Sequence, residues 1–443
     1  MNKTLTKEEV LRKARELKIK FIRLIFTDIL GIPKNVEIPI QQLEKALDNK
    51  IMFDGSSIQG FVRIEESDMY LQPDYDTFTV NPWEEEMEVG RITCDVYNPD
   101  GTPFEGCPRI NLKRVLKEIK EMDFSANFGP EIEFFLFYRD QNGKATTRTQ
   151  DQAGYFDLLP IDLGEEARRD IVISLEKLGF EVEAAHHEVA PGQHEIDFRY
   201  CDPLTAADRI MTLKLAAKTI ALKHNLHVTF MPKPIFGLPG SGMHTHISLF
   251  RNGENAFYAP EEKYQLSKEA LYFIGGLLKH ARGFTAITNP LVNSYKRLIT
   301  GYEAPVYLAW SSRNRSPLVR IPSIRKEGTR AELRSPDPSC NPYLAFAVIL
   351  KAGLDGLKKK IDPGEPINKN IYQLTEQERK GLGIESLPVN LKEALEELEK
   401  DEVIQSALTP HILKNYIKAK KEEWDTYSIQ VHQWELDRYL TIY

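Results

Sequence analysis

In the run Gly129-Pro130-Glu131-Ile132-Glu133-Phe134-Phe135-Leu136-Phe137, two carboxylates stand at i and i+2 inside an otherwise apolar stretch. A strand places such a pair on one face, and Ile132 with Phe134 to Phe137 marks that strand as interior. An isolated Glu-x-Glu ordinarily lies on a solvated face. In a buried strand the same pair must meet cations, hydrogen-bond donors or a metal, because an unpaired interior charge is strongly destabilising.

Three further clusters bear on the same question. His186-His187-Glu188-Val189-Ala190-Pro191-Gly192-Gln193-His194-Glu195 crowds five ionisable groups around a strand, a Pro-Gly turn and a second strand. By itself it fits surface histidines as well as a metal site. In Gly240-Ser241-Gly242-Met243-His244-Thr245-His246-Ile247-Ser248 a glycine-rich turn enters a strand on which His244, His246 and Ser248 share a face. It lacks P-loop spacing, so alone it is either a tight turn or a close backbone approach to a ligand. Finally, Arg297, Arg313, Arg315, Arg320, Arg325, Arg330 and Arg334 are interleaved with Glu303 and Glu332. They suit either structural ion pairs or the grip of an anionic substrate. Glutamates with one or two histidines and no cysteine form a hard ligand set that favours Mg²⁺ or Mn²⁺ over zinc or copper. The residues alone lead to metal-assisted phosphoryl chemistry with ATP or another phosphate donor and leave the second substrate open.

Composition narrows the class. A chain of 443 residues, 42% hydrophobic, buries a large core and predicts two or three domains. A net charge of −7 removes the attraction to polyphosphate that nucleic-acid binders carry, so no nucleic-acid partner is expected. Met1 to Lys20 is densely charged and no segment reads as a membrane span, which predicts a soluble cytoplasmic protein without a membrane partner. Cys94, Cys107, Cys201 and Cys340 are scattered and predict neither a zinc site nor a disulfide framework.

Along the chain, Thr6 and Glu9 form a capping-box pattern before a first helix, and Phe21 to Phe26 with Asn35 to Ile38 predicts a hairpin. The turn-rich stretch Asn98 to Pro108 marks a domain boundary before a helix at about Ile110 to Met122. Strands are expected at Glu131 to Tyr138, Glu181 to Glu188, His194 to Tyr200 and Met243 to Phe250, with helices near Glu165 to Leu178 and Pro203 to His224. This mixture reads as α+β. Beyond about Asn368 the Lys/Glu-rich sequence predicts helices with solvated faces.

Met52-Phe53-Asp54-Gly55-Ser56-Ser57, the run ending Gly-Ser-Gly-Met-His244, Asn293-Ser294-Tyr295-Lys296-Arg297, Gly301-Tyr302-Glu303-Ala304-Pro305, Asn314-Arg315-Ser316 and Asn341-Pro342-Tyr343-Leu344 together resemble the type I bacterial glutamine synthetases, in order over nearly the whole chain. The resemblance implies an N-terminal β-grasp domain (1–103) and a larger catalytic domain (104–443) with a curved antiparallel sheet flanked by helices. It also implies a homo-oligomer, a dodecamer of two stacked hexameric rings in which the Asp54 loop of one subunit closes its neighbour's active site. The implied activity is ATP-dependent ligation of ammonia to the γ-carboxylate of glutamate through γ-glutamyl phosphate, for nitrogen assimilation, with two or more Mg²⁺ per subunit and Mn²⁺ as the alternative.

By motif, Glu133, Glu188 and Glu195 resemble the ligands of one metal, and Glu131, His244 and Glu332 those of the second. Arg297, Arg334 and Gly240 match the glutamate-binding positions; Arg315, Arg320 and Arg330 match phosphate contacts, and Glu183, His246 and Ser248 lie beside the nucleotide. Asp54, Ser57, Tyr155 and Glu303 resemble the ammonium site, with Asp54, Glu303 and Arg315 catalytic and Glu303 on a flap that excludes water. Pro239 departs from the family's asparagine, Thr300 from its proline, and Ser323 to Thr329 from its loop. The chain is short for the family, and the sequence after Tyr372 does not match the segment modified in the adenylylated subtype. Feedback binding of glutamine is expected instead, with Arg63 contributing, and a nitrogen-regulatory transcription factor is a further partner that the resemblance allows. A γ-glutamyl ligase for a larger amine and a catalytically silent binding protein are the competing readings. Asp54, Tyr155 and Glu303 count against the first, and the complete ligand set against the second.

Overall fold

The computed structural model describes residues 4–58, 60, 68–301 and 304–443, with the backbone alone for 85–87. The expected sites Arg63 and Glu303 lie outside the described residues.

Helix α1 (Lys7–Glu16) begins at the capping box: the Thr6 hydroxyl accepts from Glu9 N–H and the Glu9 carboxylate accepts from Thr6 N–H. Val10 and Ala14 bury its inner face against a sheet of β1 (Phe21–Thr27), β2 (Pro33–Pro39), β3 (Ile51–Asp54), β4 (Asp68–Pro73), β5 (Thr79–Val80) and β6 (Val89–Tyr97). The order is β2-β1-β6-β4-β3 with β5 on β6, and β1 runs parallel to β6, which gives the β-grasp unit. Asp28 accepts from Leu30 and Ile32 N–H to turn the β1–β2 hairpin. Gly31 there has φ +84°, and a side chain would meet Asn341 at 3.0 Å, so the turn can sit against the following domain only with glycine.

The larger sheet holds β7 (Ser125–Tyr138), β8 (Val182–His187), β9 (Gln193–Phe198), β10 (Leu226–Thr229), β11 (Thr245–Arg251), β12 (Glu254–Asn255), β13 (Tyr307–Ser311), β14 (Pro317–Arg320) and β15 (Ala331–Leu333). Its order is β13-β14-β15-β11-β7-β9-β8, with β10 on β7 and β12 on β11. It is antiparallel except for β13 and β14, which are parallel. Parallel neighbours usually need a crossover of about a dozen residues or more; these strands are so short that residues 312–316 can return alongside them.

The remaining helices are α2 (Leu43–Leu47), α3 (Pro108–Glu121), α4 (Glu165–Lys177), α5 (Pro203–Lys223), α6 (Lys268–Thr288), α7 (Ser294–Arg297), α8 (Pro342–Lys359), α9 (Glu376–Gly381), α10 (Leu391–Lys400), α11 (Glu402–Ser406), α12 (Pro410–Ser428) and α13 (Gln433–Tyr439). Helices α6 and α8 approach closely: a Cβ on Gly276 would lie 2.2 Å from the Ala352 carbonyl, and one on Gly356 would lie 2.1 Å from that of Tyr272. No helix among the described residues is long and apolar enough to cross a membrane. The two sheets have separate apolar cores, yet Ile29 from the β1–β2 turn and Trp83 pack into the larger one.

Candidate active site

Register assembles the site. In β7, Glu131 lies opposite Asp197 and Glu133 opposite Glu195 of β9, and Glu195 in turn lies opposite His186 of β8. On the other side His246 of β11 pairs with Glu332 of β15, which pairs with Arg320 of β14. Side chains alternate between the faces of a strand, so spacing by two brings these groups onto one face. All of them except His246 line a cleft of ≈ 640 Å³, together with Tyr155, Glu188, Gly240, His244, Arg297, Arg315 and Arg334.

Two groups of metal-binding atoms face this cleft. Glu131, His244 and Glu332 offer ligand atoms within 4.8 Å of one another, the set expected for one metal. His244 Nδ1 lies 3.1 Å from Glu131 Oε2 and 4.0 Å from Glu332 Oε1. The second group joins Glu188 and Glu195 to His186. Glu133, the third ligand expected there, accepts from Gln193 Nε2 at 3.0 Å and Gly242 N–H at 2.9 Å, and lies 3.9 Å from His244 Nε2, between the two groups. His186 stands two residues before Glu188; only cross-strand pairing with Glu195, at 3.1 Å from His186 Nε2, reveals it as a neighbour of the ligands.

Electrostatics distinguish the two groups. Around Glu332, Arg320 and Arg334 each donate at 2.6 Å. Burial alone would raise the Glu332 carboxyl, but Arg334 and the nearby histidines pull it down to about 2. Glu131 is also held below the carboxylate range, because hydrogen bonds from His244 and His246 outweigh its desolvation. Arg330 Nε donates to His246 Nδ1 at 3.0 Å, which leaves Nε2–H to donate to Glu131 at 2.6 Å and fixes the tautomer. In the second group, burial and then repulsion from neighbouring carboxylates raise Glu188 and Glu195; Glu133, between the groups, is raised by burial against the opposing pull of Arg297 and Gly242 N–H. Asp197 is pushed up to about 9 by burial and by Glu195 and Glu131, and its Oδ1 is buried without a donor. Carboxylates that oppose one another's ionisation in a closed space fit a divalent cation, and the oxygen-rich donor set suits Mg²⁺ or Mn²⁺. The sequence reading missed Asp197, two residues beyond Glu195 on the same strand face.

Beneath the second group, His187 Nδ1–H donates to the Glu188 carbonyl at 2.7 Å and Nε2 lies 3.3 Å from Asp151, which also accepts from Gly192 N–H at 2.9 Å. His194 lies between Arg168 at 2.7 Å and Gln150 at 3.1 Å. This buried network orients the β8–β9 hairpin that carries Glu188 and Glu195.

Among the arginines, Arg297 is buried beside Gly242 and donates to the carbonyls of Ser335 at 2.7 Å and Arg334 at 3.2 Å. The Arg334 Nε is buried without an acceptor. Arg315 hydrogen-bonds the Tyr155 hydroxyl. A Cβ at Gly240 would lie 2.2 Å from the Pro232 carbonyl, so only glycine lets this loop line the cleft. Ser248 is buried on β11 and Glu183 exposed at the irregularity of β8; with His246 and Arg330 they lie outside the lining. Asp54 and Ser57 are exposed on the smaller unit and do not line this cleft within one chain.

Residues 105–439 match the glutamine synthetase catalytic-domain family and residues 18–99 the glutamine synthetase beta-Grasp-domain family. The chain is 60% identical to the Thermus thermophilus glutamine synthetase over 99% of both chains, and 58% identical to that of Staphylococcus aureus over 100% of this chain and 99% of that one. Among solved structures, a GmaS–ADP complex aligns with TM-score 0.88 and 34% identity over 98% of this chain and 99% of its own. The Plasmodium falciparum glutamine synthetase aligns at 0.87 and 27% over the same shares. With both domain families matched in order and the acidic strands and arginine-lined cleft where the sequence motifs lead, the chain belongs to the glutamine synthetase family, in its short type I form.

Proposed function

We propose that the chain ligates ammonia to the γ-carboxylate of L-glutamate at the expense of ATP, through γ-glutamyl phosphate, and so assimilates nitrogen. The observation that carries this reading is one cleft presenting two carboxylate–histidine groups beside Arg297, Arg315, Arg320 and Arg334. Glu131, His244 and Glu332 would hold one Mg²⁺, and Glu188 and Glu195, with Glu133 or His186, the other. Bound metals would supply neutralisation of phosphate and carboxylate charge during transfer. Arg297 and Arg334 grip the glutamate carboxylates beside Gly240; Arg315, Arg320 and Arg330 face phosphate, with Glu183, His246 and Ser248 toward the nucleotide. The ADP held by the GmaS structure supports a nucleotide site in this fold.

Asp54, Ser57, Tyr155 and Glu303 form the ammonium site, where a carboxylate takes the proton that leaves ammonia nucleophilic. The exposure of Asp54 and Ser57 supports sites shared between subunits of a double hexameric ring, and so do exposed apolar side chains such as Phe236, Leu158 and Trp434. The same reading gives a division at 103/104, a cytoplasmic location, and feedback control by glutamine through Arg63.

The test follows glutamine, other γ-glutamyl products and phosphate together, with glutamate, ATP, Mg²⁺ and either ammonium or a panel of amines. Ammonium-dependent glutamine matched by phosphate is expected, abolished in Glu131→Ala and uncoupled from phosphate release in Glu303→Ala. Products formed only with larger amines, or no turnover by folded, metal-bound protein, would overturn it.

A further inference from the structure

A second cavity, ≈ 500 Å³, lies behind the wall of the candidate site. The main chain of 297–301 and 304–307 lies between the two. Arg297, Gly301 and Ala304 line the first cleft, whereas Leu298, Ile299, Thr300, Val306 and Tyr307 line the second. The opposite wall is α9 and the strand-like segment after it, bound to the partition by Leu387 N–H donating to the Val306 carbonyl at 2.8 Å and Leu308 N–H to that of Glu385 at 2.8 Å.

The lining is two-sided in chemistry. Leu298, Val306 and Leu387 are buried and make an apolar floor, and Val389 is exposed at the rim. At the other end Arg379 lies 5.0 Å over the Tyr307 ring and donates to the Leu374 carbonyl. Among the described residues Arg379 forms no salt bridge, because Glu376 on the same helix is paired with Lys380 at 2.6 Å. An aromatic-backed guanidinium with spare donors, facing an apolar floor, is complementary to one carboxylate on a compact hydrocarbon body.

We propose that this cavity is a second ligand site for a small apolar monocarboxylate, coupled through residues 297–298 and 304–306 to the candidate active site. Occupancy presses on Leu298, the residue after Arg297, and on Val306 near Ala304, whose carbonyl is held by the Tyr372 hydroxyl at 2.7 Å. The coupling half rests on the proposed role of Arg297 in holding glutamate; the binding half does not.

Equilibrium binding of cyclohexanecarboxylate to the full-length protein, by calorimetry and saturation-transfer NMR, separates the two. The probe is expected to bind with saturating glutamate present, at least about tenfold more tightly than acetate or cyclohexylmethanol, which each lack half of the recognised chemistry. Arg379→Gln removes the charge and Val389→Trp fills the rim without touching a buried position; each is expected to weaken binding about tenfold or more. In the unsubstituted protein the probe shifts glutamate affinity about fivefold or more, and glutamate shifts the probe's affinity equally. No binding, displacement by glutamate, or undiminished binding in both variants overturns the site; binding with unaltered glutamate affinity overturns the coupling.

Discussion

Asp197 sits beside Glu195 and Glu131 with a buried oxygen that no donor reaches. Its carboxyl moves from an ordinary 3.8 to about 9, so between those values the folded chain binds a proton that the unfolded chain has released. Stability of the metal-free protein therefore falls as pH rises through that window, since the native state holds more protons. Melting curves in chelator from pH 5 to 9 should show this decline, a shallower one in Asp197→Asn, and a reversal on adding Mg²⁺ that grows with pH. At this scale the sequence was legible in residue types and in their spacing by two. Which carboxylates face which was not, because Glu133 opposite Glu195 and His186 beside Glu195 are matters of cross-strand register.

Helices α6, α8 and α11 meet at one buried histidine. His280 donates Nδ1–H to Asp401 at 2.7 Å and Nε2–H to Asp355 at 3.0 Å. Burial opposes its charge, but the two carboxylates hold its pKa above the usual 6.5. The contribution is complete below that value and is lost as pH rises through the folded pKa. Asp401 also caps α11, accepting from Val403 and Ile404 N–H. Asn keeps a competent cap while removing the charge, so Asp401→Asn should be less destabilising in denaturant titrations at pH 6 than Asp401→Ala, which loses the cap as well, about 1 kcal/mol more. The gap between Asn and the unsubstituted protein should narrow as pH rises. Helices of this kind were legible from capping residues and leucine spacing; the α6–α8 approach was not, because glycines that look like helix-weakening positions become contact points only when a second backbone is present.

Between the two domains, Arg109 of α3 donates to Asp74 at 2.7 Å, Asp95 at 3.0 Å and Asp208 at 2.8 Å, and Tyr343 donates to Asp208 at 2.6 Å. Arg109→Met leaves three carboxylates around an apolar chain. Loss of one partner from a buried ionic group costs about 3–5 kcal/mol, and calorimetry should show a lowered Tm with the smaller unit melting first. A second prediction concerns assembly. Asp54→Ala and Glu131→Ala chains, each inactive alone, should recover about a quarter of full activity when unfolded and reassembled in equal amounts, if, as proposed, each site draws a cleft from one subunit and a loop from another. No recovery in mixed oligomers would place both residues in one subunit's site.

By itself the sequence determined the class of the molecule: a large acidic α+β chain, a carboxylate-bearing interior strand, a hard ligand set, and family motifs in order from Asp54 to Leu344. Those features are local, carried by periodicity, capping and composition. Tertiary structure alone decided that Glu131, His244 and Glu332, far apart in the chain, converge within 4.8 Å, and that His186 stands with Glu188 and Glu195. It also decided that Asp197 is stranded among like charges. The physical reason is that a sheet converts one-dimensional spacing into two-dimensional neighbours through register, and register is set by the whole core rather than by any one strand.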